Sequence, residues 1–262
     1  MKIVTWNINS VRLRQNLVLD LINETGADVI CLQETKTPDK HFPSKTFIDA
    51  GFEHIHFTGM KGYNGVAIIS RVPFENPRIF PRAGRDDCRH IAVKFPVFEL
   101  HNIYIPAGGD EPDRNINEKF GHKLDFIDEM HDFFSSNYTT DAPLVVTGDF
   151  NIAPREHDVW SHKQLLKVVS HTPIEVENLE KMRRSLDWVD TVRHFVPDEE
   201  KCYTWWSYRN RNWKKSNRGR RLDHIWITPP LRSALKNHDI LTHARDWEKP
   251  SDHVPILVEL NL

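Results

Sequence analysis

The sequence predicts an α/β fold of two packed β-sheets with helices outside, and three features carry the prediction. Short runs rich in β-branched and apolar residues recur from one end of the chain to the other. Amphipathic segments alternate with them. No Ser/Gly-rich linker divides the 262 residues. That length suits one large α/β domain, and a single domain over 1–262 is expected.

The elements follow in order. IVTWNI (3–8) reads as a buried strand. Ser10 stands where it could cap a helix over about 12–24, with Leu13, Leu17, Leu21 and Ile22 on one face. DVICLQE (28–34), GVAIISR (65–71), HIAVKF (90–95) and HNIYIP (101–106) read as further strands. The strongest helical period lies between about 114 and 136, where Phe120, Leu124, Ile127, Met130 and Phe134 recur. LVVTGDFN (144–151) is another strand, followed by a polar, helix-rich region. YTWWSY (203–208), LDHIWIT (222–228) and VPILVEL (254–260) complete the sheets.

Composition narrows the class. Apolar residues at 39% can build a sizeable core, and 27% charged residues with 16 prolines fit a soluble globular protein. No apolar run approaches the ~20 residues of a membrane span. The opening MKIVTWNINS is too polar for a signal peptide and reads as a strand. Cys31, Cys88 and Cys202 are scattered and odd in number, against a disulfide framework or a zinc cluster and in favour of a reducing, cytoplasmic setting. Net charge is −2, yet Arg209 to Arg221 (RNRNWKKSNRGRR) holds seven basic residues in thirteen and no acid. Such a patch fits either a solvated loop or a phosphate footprint.

Buried strands that end in acids and amides set the chemistry. Apolar strands lead to Asn7, to Glu34, and to Asp149 with Asn151; Asp223 opens another, and Asp252–His253 precedes the last. One carboxylate at a strand end is ordinarily just solvated there. The same arrangement repeated through the chain points to a shared site. Oxygen donors without thiolates suit Mg²⁺, with Mn²⁺ as a substitute, and disfavour structural zinc. Residues 3–9 (IVTWNIN) and 145–151 (VVTGDFN) echo each other, superposing Asn7 on Asp149 and Asn9 on Asn151. Two such strands could deliver their polar ends to one cleft. His224 should point to the opposite face from Asp223 and is read as structural. There is no GxSxG, and the glycines at 59, 62 and 65 match neither a P-loop nor a dinucleotide fingerprint.

TWNIN (5–9), LQETK (32–36), NGVAIIS (64–70), YIP (104–106), GDFNIAP (148–154), RLDHI (221–225) and PSDHVP (250–255) occur in this order. With them the chain resembles the exonuclease III group of the endonuclease/exonuclease/phosphatase superfamily over nearly its whole length. The resemblance implies a four-layered α/β sandwich and a Mg²⁺-dependent phosphodiesterase of DNA repair. It implies Glu34 as main metal ligand with Asn7 close by, Asp149 as the residue that orients or deprotonates water, and Asn151 holding Asp149 and touching phosphate. His253 would bond a phosphate oxygen, and Asp149, Asn151 and His253 would border the metal. Asp223 would keep His253 cationic, Asp252 would belong to the metal's surroundings, and Tyr104 would donate to phosphate or help the leaving oxygen.

A phosphodiester repels hydroxide, so its hydrolysis needs positive charge on the phosphoryl oxygens, a placed water and help for the leaving alkoxide. The resemblance makes duplex DNA with abasic or blocked 3′ ends the expected substrate, bound by a monomer without a membrane. Trp205 would wall a tight apolar pocket for an extruded abasic sugar, with Trp206 in the core. Arg209, Lys214, Lys215, Arg218 and Arg220 would hold flanking phosphates. Two departures stand out: Ala107 replaces a DNA-contacting Gln or Asn, and Arg220 stands where some relatives place a Trp. Rival readings are a phosphodiesterase of the same fold acting on RNA or another phosphate ester, and a binding module for damaged DNA that does not cut.

Overall fold

A computed structural model describes residues 1–210 and 212–262; Arg211, part of the basic run, lies outside them. Its strands are β1 (Lys2–Asn7), β2 (Val29–Gln33), β3 (His54–Thr58), β4 (Val66–Ser70), β5 (Glu75–Ile79), β6 (His90–Lys94), β7 (Glu99–Tyr104), β8 (Leu144–Asp149), β9 (Val189–Asp190), β10 (Trp205–Trp206), β11 (Gly219–Arg220), β12 (Asp223–Ile227), β13 (Leu235–Ile240) and β14 (Ile256–Leu260). The helices are α1 (Val11–Thr25), α2 (Ser44–Asp49), α3 (Glu118–Asn137), α4 (His162–Leu165), α5 (Pro173–Ser185), α6 (Thr191–Phe195) and α7 (Trp213–Ser216).

Two mixed six-stranded sheets face each other, in the orders β13-β14-β1-β2-β4-β3 and β5-β6-β7-β8-β12-β9; β10 and β11 form a separate ribbon. Each sheet has one parallel pair at its centre, β1 with β2 and β7 with β8, and antiparallel pairs on both sides. A helix crosses over between each parallel pair, α1 and α3 respectively, as parallel neighbours require.

Alternation along the strands builds the layers. Ile3 of β1, Val29 and Cys31 of β2, Leu100 of β7, Val145 of β8 and Ile225 of β12 share one inter-sheet core. Val4, Trp6, Ile30 and Leu32 point the other way, onto Val18, Leu21 and Phe47 of α1 and α2. Ile103, Val146 and Trp226 pack on Phe126, Ile127, Phe134 and Leu179 of α3 and α5. These are the four layers expected from the sequence.

Differences from the expected elements have local causes. Ser10 makes no side-chain cap to α1 and sits at φ 89°. Leu13 is 58% exposed, because Arg14 takes the inward position and bonds the carbonyls of Ile8, Asn9 and Lys249. Helix α3 starts at Glu118 instead of near 114, where the Asn117 side chain accepts the Lys119 N–H. YTWWSY yields only a two-residue strand, since Thr204 turns inward to the site. Strands β3, β5 and β13 were not expected. They lie at or near sheet edges, and solvent on one side leaves β5 and β13 mostly polar, with little alternation to read.

Candidate active site

At one end of the inter-sheet layer, the apolar core gives way to polar groups on the same alternating positions. Beyond Ile3, the inward positions of β1 hold Thr5 and Asn7; beyond Leu100, those of β7 hold Asn102 and Tyr104; beyond Val145, those of β8 hold Thr147 and Asp149. Gln33 donates to Thr5 Oγ1 (3.0 Å) and to Asn102 Oδ1 (2.7 Å), joining the sheets beneath the site. The parallel strands end here together, and their loops turn through left-handed backbone at Asn9 (φ 46°), Glu34 (φ 50°) and Asn151 (φ 53°). Gly148 allows the close approach of β7 and β8: an added Cβ would lie 1.8 Å from the Ile103 carbonyl oxygen.

Asn7 Nδ2 donates to Glu34 Oε1 (3.0 Å) and to Asp149 Oδ2 (2.9 Å), so the two echoing strands meet across the sheets. Tyr104 donates its hydroxyl to Glu34 Oε1 at 2.7 Å. Burial, then the Glu34 and Asp149 charges, hold this phenol well above its ordinary range, so it remains a donor. Lys36 Nζ lies 2.6 Å from Glu34 Oε2. Burial alone would raise the Glu34 carboxyl, but Lys36, Asn7 and Tyr104 outweigh it and keep Glu34 ionised.

Asp149 is fully buried; its Oδ1 takes the Asn151 backbone N–H (2.8 Å), and its Oδ2 takes Asn151 Nδ2 (3.2 Å). Burial first, and the Asp223 and Glu34 charges after it, push the Asp149 carboxyl up to about 7 against the opposing pull of His253. His253 Nδ1 lies 2.8 Å from Asp223 Oδ2 and Nε2 lies 3.7 Å from Asp149 Oδ2. Burial would deprotonate this ring, but Asp223 and then Asp149 push it up to about 10, so it is an imidazolium with Nδ1–H donating to Asp223. His224 is separate: Nε2–H donates to the Ile152 carbonyl, Nδ1 accepts from Arg221, and the ring stays neutral, its pKa lowered by burial to about 4.

Asp252 accepts from Asn9 Nδ2 (3.1 Å) and from Trp205 Nε1 (3.0 Å). Asn9 also accepts from Lys36 Nζ (2.7 Å), so Asp252 is tied to Glu34 through two intermediaries. Trp205 lines a cavity of about 930 Å³ with Trp160, Val169, Arg209, Arg218 and Arg220. Trp206 is buried against Tyr203 and Trp213. Among the described residues, Trp205 lines a roomy cavity with three guanidinium groups, that of Arg220 among them, in place of the tight apolar pocket expected from the sequence. Lys214 and Lys215 are exposed on α7 and do not line this cavity; Lys214 pairs with Asp246 at 2.7 Å. Another cavity, of about 890 Å³, lies at α5 on the outer face and holds none of these residues.

Several supporting residues escaped the sequence reading. Thr204 Oγ1 donates to Asp223 Oδ2 (2.6 Å) and accepts the Asp223 N–H (3.1 Å). Ser251 Oγ donates to the Asn7 carbonyl (2.7 Å) and accepts the His253 N–H (3.2 Å). Lys123, wholly buried, donates to the Asn151 carbonyl (2.8 Å) and pairs with buried Glu175 at 2.5 Å. Ser251 lies inside the PSDHVP motif and Thr204 beside the Trp pair, yet a lone hydroxyl carries no directional signal in sequence. Lys123 could have been flagged as a charge on the apolar face of α3.

Residues 4–253 match the model of the endonuclease/exonuclease/phosphatase family. Exodeoxyribonuclease III of Haemophilus influenzae is 29% identical to this chain over 99% of both proteins. The DNA repair nuclease APEX1 of Danio rerio is 30% identical over 99% of this chain and 82% of its own length. The solved AP endonuclease from Archaeoglobus fulgidus is 31% identical with full coverage of both chains and a TM-score of 0.93. A 3′-phosphatase from Neisseria, solved with a product DNA hairpin, is 30% identical with a TM-score of 0.92 and full coverage of both chains. The chain belongs to the endonuclease/exonuclease/phosphatase family, in its exonuclease III-type AP endonuclease group.

Proposed function

We propose that this metal-dependent hydrolytic nuclease uses Mg²⁺ to cut duplex DNA on the 5′ side of abasic sites, leaving a 3′-hydroxyl and a 5′-deoxyribose phosphate. The same centre would trim 3′ ends and remove 3′-phosphates, since all three reactions attack one kind of phosphate. The observation that carries this reading is the polar circuit between the sheets, where buried Asp149 faces an imidazolium held by Asp223. The names of the relatives, a DNA repair nuclease and an AP endonuclease among them, support DNA as substrate.

The donor set fits Mg²⁺. Glu34 and Asp149 present carboxylate oxygens on either side of the Asn7 amide, whose nitrogen bonds both, Asp252 stands nearby, and no thiolate is among them. Lys36 beside Glu34 shows that positive charge is stabilised there. When bound, the ion would supply Lewis-acid stabilisation of charge on the phosphate. Asp149, Asp223 and His253 also offer atoms within 4.8 Å of one another. We assign His253 to the phosphate instead of the metal, because an imidazolium has no free lone pair. Its Nε2–H would donate to a non-bridging oxygen, and Asp149 would orient and deprotonate water while Asn151 fixes its carboxylate. Tyr104 would donate to the phosphate.

Both sheets contribute to this centre, which supports a single working domain over 1–262. Among the described residues no helix is long and apolar enough to cross a membrane. Three free thiols, two of them buried, suit a reducing compartment, and we place the protein in the cytoplasm as a monomer.

The test is incubation with end-labelled duplex DNA carrying an internal tetrahydrofuran residue, with Mg²⁺ or with EDTA. A nick 5′ to the analogue in Mg²⁺ alone is expected. Stepwise trimming or 3′-phosphate release without that nick would move the function to 3′-end processing.

A further inference from the structure

The cavity at α5 on the outer face holds chemistry that the catalytic centre does not use. His162 opens α4, and His171 lies in the short connection between α4 and α5. Both line the cavity of about 890 Å³. Their rings meet nearly at right angles (80°), with His162 Nδ1 2.8 Å from His171 Nε2. His171 is 2% exposed, and its Nδ1 lies 2.6 Å from the Ala153 carbonyl oxygen. A carbonyl only accepts, so Nδ1 carries the proton and Nε2 keeps its lone pair. Burial holds this ring below the ordinary imidazole range, so it stays neutral at neutral pH.

A histidine that binds a metal is built in this way: one ring nitrogen is anchored on a backbone carbonyl, and the other directs its lone pair. His162 brings a second imidazole to the same point. Two nitrogens each ~2.0–2.1 Å from a tetrahedral Zn²⁺ stand about 3.3 Å apart, so opening the pair by about half an ångström seats an ion. His162 is the more exposed of the two rings and can make that movement. Its proton balances without a change of charge. With no ion, His162 Nδ1–H donates to the His171 lone pair; with an ion, the proton moves to His162 Nε2 and Nδ1 becomes a ligand. The remaining coordination positions open to the cavity and its water. Glu177 and Glu180 add negative charge to the same wall, opposed by Lys181 and Arg184. Imidazole donors suit Zn²⁺ and its neighbours in the transition series, whereas the oxygen-lined centre suits Mg²⁺.

We propose that His162 and His171 form a second metal site, for a divalent ion of the Zn²⁺ class, separate from the catalytic centre. The site goes beyond the phosphodiesterase reading and stands independently of it. Its placement gives it a consequence. Ala153 ends the turn that carries Asn151, and its N–H donates to the Ser170 carbonyl at 2.8 Å. An ion on His171 and His162 would fasten α4 and the Ser170–His171 connection to the turn that follows β8.

The test titrates chelator-stripped protein, returned to excess Mg²⁺, with Zn²⁺ and follows the histidine ring nitrogens by ¹⁵N NMR. Zn²⁺ should shift His162 Nδ1 and His171 Nε2 and leave His90 and His101, buried elsewhere, unmoved. Equilibrium dialysis should find one Zn²⁺ fewer per chain in His162→Gln than in the native protein. The affinity at this site should fall at least about a hundredfold, since loss of an outer partner alone costs roughly 10–100-fold. His131→Gln, on the wall of the same cavity, should bind as the native protein does. His171→Gln also loses the Ala153 bond, so the half-buried His162 carries the test. Without Zn²⁺, the urea midpoint and Mg²⁺-dependent turnover of His162→Gln should match native. Unmoved ring nitrogens, or equal Zn²⁺ uptake by the native protein and His162→Gln, overturns the proposal and leaves the pair as an internal hydrogen bond. An equal loss of uptake in His131→Gln also overturns it, as binding by scattered surface histidines.

Discussion

Asp149, His253 and Asp223 form one electrostatic unit, so their substitutions should not act independently. Asp149→Asn keeps the shape and removes the base, and His253→Ala removes the cation beside it. Each should lower turnover by at least ~10³ with binding largely kept, as checked by single-turnover kinetics on tetrahydrofuran duplex. The pH profile follows from the same unit. Asp149 is protonated below about 7, so activity should rise with pH through that value. A divalent cation beside Glu34 adds positive charge and should draw this limb lower. His253 loses its proton above about 10, so activity should fall there. Asp223→Asn removes the strongest charge that keeps His253 cationic. The alkaline limb should therefore move down towards the ordinary imidazole range, and an unchanged limb would assign it to another group.

Helix α3 supports the site through one buried side chain. Lys123 reaches from α3 to the Asn151 carbonyl, and its partner Glu175 in α5 accepts the Ser170 and Thr172 N–H groups and the Thr172 hydroxyl. One buried ion pair thus ties two helices to the turn that follows β8. Lys123→Met leaves Glu175 buried and unpaired and should cost about 3–5 kcal/mol in urea unfolding. Adding Glu175→Gln should restore part of that stability, since neutral glutamine no longer strands a charge. Activity should stay low in both variants, because the Asn151 carbonyl has lost its donor. Recovered activity in the double variant would show that Lys123 serves stability alone.

The charge of the whole molecule is uneven. A net charge of −2 hides the basic run between Arg209 and Arg221. That run divides by position. Arg209 and Arg218 border the cavity, Lys214 is paired with Asp246, and Arg221 is buried against Asp158 and Asp190. Among the described residues of the run, Arg209, Arg218 and Arg220 line the cavity, where flanking phosphates would be met. Binding to tetrahydrofuran duplex in EDTA should weaken linearly in log[salt]. Arg209→Ala and Arg218→Ala should each reduce the slope by about one, whereas Lys214→Ala should leave it near native. Equal effects of all three would mean a diffuse basic surface.

The sequence by itself determined the four layers and the residues that meet at their edge. Inward alternation is a local property of each strand, and Asn7, Tyr104, Asp149 and Asp223 carry it in their spacing from Ile3, Leu100, Val145 and Ile225. The ordered motifs then implied the chemistry. Edge strands stayed illegible because solvent on one side removes the pattern, and α1 was misread at Ser10 and Leu13 because buried Arg14 takes the inward place. The resemblance implied a cationic His253 held by Asp223, and the tertiary structure added Asp149 from β8 as a second carboxylate beside the ring. Only the tertiary structure decided the cavity, where Arg220 lies over Trp205, the expected wall. Burial and through-space charge act between groups far apart in the chain, and a linear pattern does not encode them.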